Sequence, residues 1–361
     1  MSGRETDDPW TSEVDGDEVV FRLADAEHTL SGVRLWQELG IAGDRLDLAR
    51  VEGGWELRLP RPDVHRMEYL FEVCDGEGDT TMWTDPTNPR VVGGAFGEHS
   101  WLAMPGYAEP DWVAVEPVES RTRSIVVSGT PVGEVPVDVW APHDARPYEP
   151  LPLLVAHDGP EFAAYAGLTH YVGALLARAD LPRMRLALVH PRERNAWYSA
   201  DDGYAEALTR HVLPRIHRGW STRRGATVLM GASLGALAAL HAEWTRPGTF
   251  AGLFLQSGSF FTPATDPQER DFSHFAEVTG FVRAVLAATE PPSRPAVALT
   301  AGTAEENRLN NRVMAAHLRT LGYDVEYAER LDVHNYTAWR DMLHPHLTGL
   351  LQRVWGDPRG T

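Results

Sequence analysis

The sequence contains no lysine, and all 33 of its basic residues are arginine. A chain without lysine cannot form a lysine Schiff base, which excludes pyridoxal-dependent enzymes. It also lacks the lysine that a phosphate-binding P-loop requires, which excludes Walker-type NTPases. The 51 acidic residues outnumber the basic ones, and the formal charge of −18 opposes binding to nucleic acid.

Cysteine and long apolar runs are also scarce. Cys74 is the single cysteine, so the chain cannot form an internal disulfide. No run reaches the roughly 18 apolar residues that a membrane span needs. The acidic N-terminal segment has no signal-peptide pattern. These absences predict a cytoplasmic protein with no membrane partner.

The first third of the chain carries short runs in which apolar and polar residues alternate, separated by Gly, Asp and Pro. These runs are EVVFRLAD (18–25), SGVRLW (31–36), GGWELRLP (53–60) and MEYLFEVCD (67–75). The pattern predicts a small antiparallel β-sandwich over residues 17–115. The acidic residues 1–16 before it are predicted to form a disordered leading segment.

The pattern changes near residue 120, where apolar strands begin to alternate with helical segments. LPLLVAHDG (151–159) is a continuous apolar run, as expected of a strand that is covered on both faces. This alternation predicts an α/β domain with a mostly parallel sheet over residues 119–356. The charged, proline-containing segment 116–123 is the expected domain boundary. A single last helix is expected near residues 337–355.

One short stretch raises the question of function. The pentapeptide GASLG (231–235) follows the apolar run TVLM and precedes a helix of small residues. In this strand–turn–helix setting, G-x-S-x-G is typical of a nucleophile elbow that exposes a reactive serine, here Ser233. The competing interpretation is a turn of small residues that only lets the helix pack closely against the sheet.

A nucleophilic serine needs a base and an acid, which follow it in that order in this type of fold. His334 comes after the last predicted strand, which is where the base is expected. The acid should follow the strand AVALTAG, where Glu305 is favoured and Glu306 is the alternative. Both glutamates could instead simply begin the next helix, whose N-terminus favours acidic residues.

The oxyanion of an acyl-transfer reaction needs two backbone N–H donors. The N–H of Leu234, which follows the serine, is the expected first donor. The second should lie after HDG (157–159), where Pro160 has no N–H, so Gly159 and Glu161 both remain candidates. Glu161 has a competing role in capping a helix.

These motifs together resemble those of the enterochelin esterase group of α/β-hydrolases. The matching segments are GASLGALAALHAEWTRPGTFAGLFLQSGSFF, HDGPEF, PRERNAWYS, AGTAEENRLNNRVMAAHL and VHNYTAWRDML, within residues 120–356. The N-terminal sandwich, ending in DPTNP, is similar to the immunoglobulin-like domain that precedes the hydrolase in that group. The sequence departs from the pattern at Val333, where the family has glycine.

The resemblance implies a cytoplasmic serine esterase that opens a trilactone siderophore through an acyl-enzyme, without metal or cofactor. It implies Ser233 as nucleophile, His334 as base and Glu305 as acid. Arg194, Asn195, Trp339 and Arg340 are candidate substrate contacts. Arg194 and its neighbour Asn195 could alternatively pin their own loop, and Trp339 could serve packing.

Other functions fit the same residues. The wider family includes feruloyl esterases and acyltransferases, so another lactone, a feruloyl-type ester or an acylated sugar could be the substrate. The net charge of −18 contrasts with the basic residues that the family often places near an anionic iron chelate. A hydrolase fold that binds a partner without catalysis is the alternative of a different class.

Overall fold

A computed structural model of the chain describes residues 9–95 and 97–356. These residues divide into two compact units. The first runs to Ala108 and also includes Leu331–Asn335, and the second comprises Glu109–Arg330 and the chain from Tyr336 onward. The division therefore precedes the boundary expected near residues 115–119. The sequence pattern did not indicate that Leu331–Asn335 belongs to the first unit.

The first unit is all-β and contains two antiparallel sheets. One has the strand order β1-β2-β5-β4, and the other has the order β3-β6-β9-β8 with β7 also paired to β6. The strands are Glu13–Asp15 (β1), Glu18–Ala24 (β2), Leu30–Gln37 (β3), Ala49–Val51 (β4), Gly54–Pro60 (β5), Arg66–Asp75 (β6), Thr80–Trp83 (β7), Val91–Gly94 (β8) and Gly97–Ala103 (β9). The ring of Phe21 on β2 meets that of Tyr69 on β6 edge-on at 4.9 Å, so the apolar faces of the two sheets pack together.

The disorder predicted for the acidic residues 1–16 can be compared with the structure only from residue 9 onward, because residues 1–8 lie outside the described part of the chain. Within the rest, the prediction of disorder is wrong for Glu13–Asp15, which pairs antiparallel with β2. Arg22 of β2 donates to Glu13 Oε1 at 2.8 Å and to the Thr11 carbonyl at 3.1 Å. Composition did not indicate this strand, because the arginine that pairs with Glu13 lies on another strand.

The second unit is built on one eight-stranded sheet with the order β10-β11-β13-β12-β14-β15-β16-β17. Its strands are Ser120–Thr130 (β10), Gly133–Pro142 (β11), Leu151–Ala156 (β12), Arg185–Val189 (β13), Thr222–Ala232 (β14), Gly252–Gln256 (β15), Ala296–Gly302 (β16) and Val325–Arg330 (β17). The pairs β10–β11 and β11–β13 are antiparallel, and the remaining pairs are parallel. The carboxyl ends of the parallel strands therefore share one edge, where ligand sites form in sheets of this kind.

Helices cover both faces of this sheet. They are Gly159–Ala164 (α1), Leu168–Ala177 (α2), Arg194–Tyr198 (α3), Asp202–Glu206 (α4), Leu213–Gly219 (α5), Leu234–Thr245 (α6), Phe275–Ala287 (α7), Arg308–Thr320 (α8), Tyr336–Asp341 (α9) and Thr348–Trp355 (α10). A π-helical segment, Ala207–Val212, joins α4 to α5. None of the helices in the described ranges is both long and apolar enough to cross a membrane.

Alternate residues of the central strands enter two separate cores. Leu153 and Val155 of β12 face one core, which also contains side chains of α6 and α8. Leu154 and Ala156 face the other, which contains side chains of α2 and α10. Both faces of the strand are buried, and this explains why its sequence is a continuous apolar run.

The sequence predicts one continuous last helix over residues 337–355, but the structure divides it. It is divided into α9 and α10 by a π-type turn at Leu343–Leu347, within which His344 has φ −109° and ψ 131°. Pro345 explains the break, because a proline disfavours helical angles in the residue before it and donates no hydrogen bond.

Candidate active site

Ser233 occupies a strained turn between a strand and a helix. Strand β14 ends at Ala232 and helix α6 begins at Leu234. Ser233 between them has φ 55° and ψ −125°, a conformation that side-chain-bearing residues rarely adopt. Its N–H donates to the Gln256 carbonyl at 2.9 Å, so the neighbouring strand β15 holds the turn in place. This is the geometry of a nucleophile elbow.

The two glycines of the pentapeptide lie where the helix packs closely against the strand. A Cβ atom on Gly231 would collide with the carbonyl group of Gly235. A Cβ atom on Gly235 would lie 3.3 Å from Asp158 Oδ2 and 3.3 Å from the Cβ atom of His157. The close approach of helix to strand, which was the competing interpretation of this motif, is thus present together with the strained serine.

Two helix N-termini offer the backbone donors expected of an oxyanion hole. The Ser233 carbonyl accepts from the N–H groups of Ala236 (3.1 Å) and Leu237 (3.2 Å), so the Leu234 N–H precedes the first bonds of α6. In α1 the first such bond runs from Phe162 N–H to the Asp158 carbonyl at 2.9 Å. The N–H groups of Gly159 and Glu161 both precede it, and both remain candidates for the second donor.

Asp158 and Arg194 form an ion pair beside this turn. Arg194 Nε and Nη2 donate to the two carboxylate oxygens of Asp158, each at 2.8 Å. Asp158 is buried and has the left-handed φ of 47°, and its N–H donates to the hydroxyl of Tyr198 at 3.1 Å. Burial alone would lower the pKa of Arg194, but the charge and hydrogen bonds of Asp158 raise it above its ordinary value. Arg194 thus pins the loop that begins α1.

Arg194→Ala is expected to destabilise the protein by about 2–3 kcal/mol, because Asp158 would remain buried with an unpaired charge. The expected cost is below that of a fully buried pair, since the Arg194 side chain is 36% exposed. Thermal unfolding of Arg194→Ala, Asp158→Asn and the double variant measures the coupling. We expect the double variant to recover part of the loss, and strictly additive losses would contradict the pairing.

His157 is fully buried directly before Asp158. Its Nδ1 atom lies 2.8 Å from the Gly235 carbonyl oxygen, so the neutral ring donates its Nδ1 hydrogen to the backbone of the elbow. Burial lowers the pKa of His157 to about 4, against the opposing effect of that hydrogen bond. The ring therefore remains neutral at physiological pH and acts as a structural link between β12 and α6.

The lowered pKa of His157 predicts a pH-dependent stability. The unfolded chain protonates this histidine near pH 6.5, whereas the folded chain does so only at about pH 4. The stabilisation is therefore complete above pH 6.5 and is lost as the pH falls, by about 2 kcal/mol between pH 7 and pH 5. Urea unfolding at both pH values should show this loss in the wild type and a smaller one in His157→Gln. Equal losses in the two proteins would contradict the assignment.

Strand β15 ends in a loop that contacts the elbow, and the sequence motifs had not assigned its serines a role. The Ser259 hydroxyl lies 3.1 Å from that of Ser233. Ser257 is buried with φ 47°, and its hydroxyl accepts from the indole N–H of Trp339 at 3.0 Å. The QSGSF segment that carried the resemblance was the available signal for these residues.

The two glutamates proposed for the acid differ in exposure. Glu305 and Glu306 lie in the turn between β16 and α8. Glu305 is half-buried and its Oε1 atom is inaccessible to solvent, whereas Glu306 is exposed. A buried carboxylate is the one whose charge acts strongly on its neighbours, because solvent screens an exposed charge. Burial therefore favours Glu305 for the acid.

The other predicted site residues have diverse surroundings. Trp339 is buried and stacks on Phe162 at a centroid distance of 6.1 Å, in agreement with a packing role. Arg340 pairs with Asp341 at 2.8 Å and with Glu109 at 3.1 Å, and Asn195 is exposed.

His334 is half-buried and lies in the segment that belongs to the first unit. The described residues contain no group of three or more potential metal ligands.

The class of protein follows from these observations. A mostly parallel sheet covered by helices, with a strained serine between a central strand and the next helix, is typical of an α/β-hydrolase. The Esterase family model matches residues 128–350, more than half of the 361-residue chain. The chain therefore belongs to the Esterase family and is a serine ester hydrolase.

Individual relatives agree with this assignment. The iron(III) enterobactin esterase of Escherichia coli O6:H1 is 26% identical over 284 residues, which cover 76% of this chain and 68% of that protein. The structure of enterochelin esterase from Shigella flexneri has a TM-score of 0.76 at 21% identity and covers 96% of both chains. A structure of the Shigella flexneri enterobactin esterase in the presence of enterobactin has a TM-score of 0.74 at 21% identity, covering 94% of this chain and 92% of that one. The predicted resemblance and fold class are confirmed.

Proposed function

We propose that this protein is a serine esterase that opens the ester bonds of a trilactone siderophore related to enterobactin. In this proposal Ser233 is the nucleophile, His334 removes its proton, and Glu305 orients the histidine. The N–H of Leu234, with that of Gly159 or Glu161, stabilises the oxyanion. An acyl-enzyme forms on Ser233, and water then releases the product.

The conformation of Ser233 is the observation that supports this proposal most. A strained φ of 55° persists only where surrounding structure enforces it, and here the Gln256 carbonyl and the packed glycines do so. In an elbow of this kind the strained turn exposes the serine hydroxyl beside the N-terminus of the following helix. A turn needed only for close packing of helix and strand does not require a strained serine.

The substrate class rests on relatives. An E. coli protein similar to this chain is named an iron(III) enterobactin esterase, and a structural neighbour was determined in the presence of enterobactin. A cytoplasmic location fits the proposal, because the ester bonds of such a chelate are cut after its import. The proposed chemistry requires no metal or cofactor from the protein, and iron would enter only as part of the substrate.

Hydrolysis of ferric and iron-free enterobactin, followed by mass spectrometry, tests the proposal. We expect linear trimer, dimer and monomer from the wild type and intact trilactone from Ser233→Ala. Failure of the wild type to cut either form, while 4-nitrophenyl butyrate is cleaved in a Ser233-dependent way, would contradict the siderophore assignment and favour another lactone, a feruloyl-type ester or an acylated sugar. Transfer of the acyl group to an added alcohol in preference to water would instead identify an acyltransferase.

A further inference from the structure

The segment Leu331–Asn335, which carries His334, is bonded at several points to the all-β unit in which it is grouped. The N–H of His65, the residue before β6, donates to the Leu331 carbonyl at 2.6 Å. The His65 carbonyl in turn accepts from Met104 N–H at 2.9 Å. The segment therefore begins with a backbone hydrogen bond to the sandwich.

The next residue of the segment enters a buried ion pair. Arg66 Nη2 lies 3.2 Å from Asp332 Oδ2, and both side chains are only 1% exposed. Arg66 Nη1 also donates to Glu68 Oε1 at 3.4 Å. Such a pair is costly to separate, because either partner left alone would be a buried uncompensated charge. Asp332 is consequently fixed to the first strand residue of β6.

The end of the segment is fixed by Glu38, the residue after β3. Asn335 Nδ2 donates to Glu38 Oε2 at 2.8 Å. Burial raises the pKa of the Glu38 carboxyl and the like charge of Glu68 raises it further, against the hydrogen bond from Asn335 and the charges of His99 and His334. His99 Nδ1 lies 3.1 Å from Glu68 Oε2, and that hydrogen bond raises the pKa of His99 despite its burial. His334 is thus flanked by two attached residues, Asp332 and Asn335.

We infer that Glu38 is a positioning residue for catalysis: its hydrogen bond to Asn335 holds the segment that carries His334. The inference rests on the proposed function, in which His334 is the general base. Its physical basis is that a base misplaced by about 1 Å can cost on the order of 10²-fold in rate. Asp332 is held on one side of His334 and Asn335 on the other, so loss of the Glu38–Asn335 bond removes one restraint on the segment and allows the imidazole to shift.

The test compares Glu38→Ala with Glu38→Gln, using 4-nitrophenyl butyrate as the substrate. Alanine removes the acceptor for Asn335, and we expect kcat to fall about 10- to 100-fold with KM nearly unchanged. Glutamine retains an acceptor oxygen and should restore most of the lost rate. Titration of reactive serine with a phosphonate gives the number of competent sites, so a change in rate per site is separated from partial unfolding.

Asp25→Ala is the matched control within the same unit. Asp25 is buried and accepts from Thr29 N–H at 2.8 Å and Trp55 Nε1 at 3.1 Å, so its loss disturbs the sandwich through other neighbours. We expect its kcat per titrated site to match the wild type. If Glu38→Ala does not fold, Asn335→Ala breaks the same bond from the other side and should give the same loss of kcat.

Two results would overturn the inference. One is a wild-type kcat per site in Glu38→Ala and Asn335→Ala while Ser233→Ala is inactive. That result contradicts the positioning role but leaves the proposed function standing. The other is an equal loss in Asp25→Ala, which shows that any damage to the unit suffices. Retained activity in Ser233→Ala would instead contradict the proposed function on which the inference rests.

Discussion

Ser233→Ala is expected to lower kcat for 4-nitrophenyl butyrate by about 10⁴- to 10⁶-fold, because it removes the hydroxyl of the strained turn residue. The fold should remain intact, since alanine places the same Cβ atom at φ 55° as serine does. Steady-state kinetics with thermal unfolding of the same samples measures both quantities. A full loss of activity at unchanged stability identifies Ser233 with the chemistry.

Ser259→Ala is the control for this variant. The Ser259 hydroxyl lies 3.1 Å from that of Ser233, so it is an alternative nucleophile at the same position. It lies outside the elbow, and we expect its replacement to lower kcat far less than that of Ser233. An inactive Ser259→Ala beside an active Ser233→Ala would reverse the two roles.

Glu305→Gln is expected to lower kcat by about 10³- to 10⁴-fold, because an amide in place of the orienting carboxylate favours the wrong tautomer of the base. Glutamine has nearly the same shape as glutamate, so the turn before α8 should fold as before. Glu306→Gln is the matched variant at the adjacent, exposed position, and we expect its kcat to remain near the wild-type value. Measurement of both variants on the same aryl ester separates the two candidates.

The opposite ranking would assign the acid to Glu306. Equal and small effects in both variants would show that the histidine works without a glutamate from this turn. Either result would be compatible with Ser233 as the nucleophile. Either would also show that burial does not identify Glu305 as the acid.

Much of this architecture could be predicted from the sequence because local patterns and the fold agree. The alternation of residues in strands such as Leu30–Gln37 reveals a sheet with one more exposed face. The continuous apolar run of Leu151–Ala156 reveals a strand covered on both faces. The G-x-S-x-G motif between a strand and a helix indicated the elbow because glycines at those positions answer a local steric need.

Other features depended on contacts that are distant in sequence. Asp158 and Arg194 are 36 residues apart in the chain, and the bond of Asn335 to Glu38 spans 297 residues. No local pattern encodes such partners, so the sequence left the role of Arg194 open and gave none to Glu38. The strand at Glu13–Asp15 was missed because acidic composition alone does not reveal a pairing arginine.

Labelling of the protein with a serine-reactive phosphonate, followed by peptide mass mapping, tests the central claim most directly. The account predicts a single adduct on the peptide containing Ser233, formed at a rate that falls sharply when His334 is replaced by alanine. An adduct confined to Ser257 or Ser259, or no adduct in a folded protein that still cleaves esters, would contradict it.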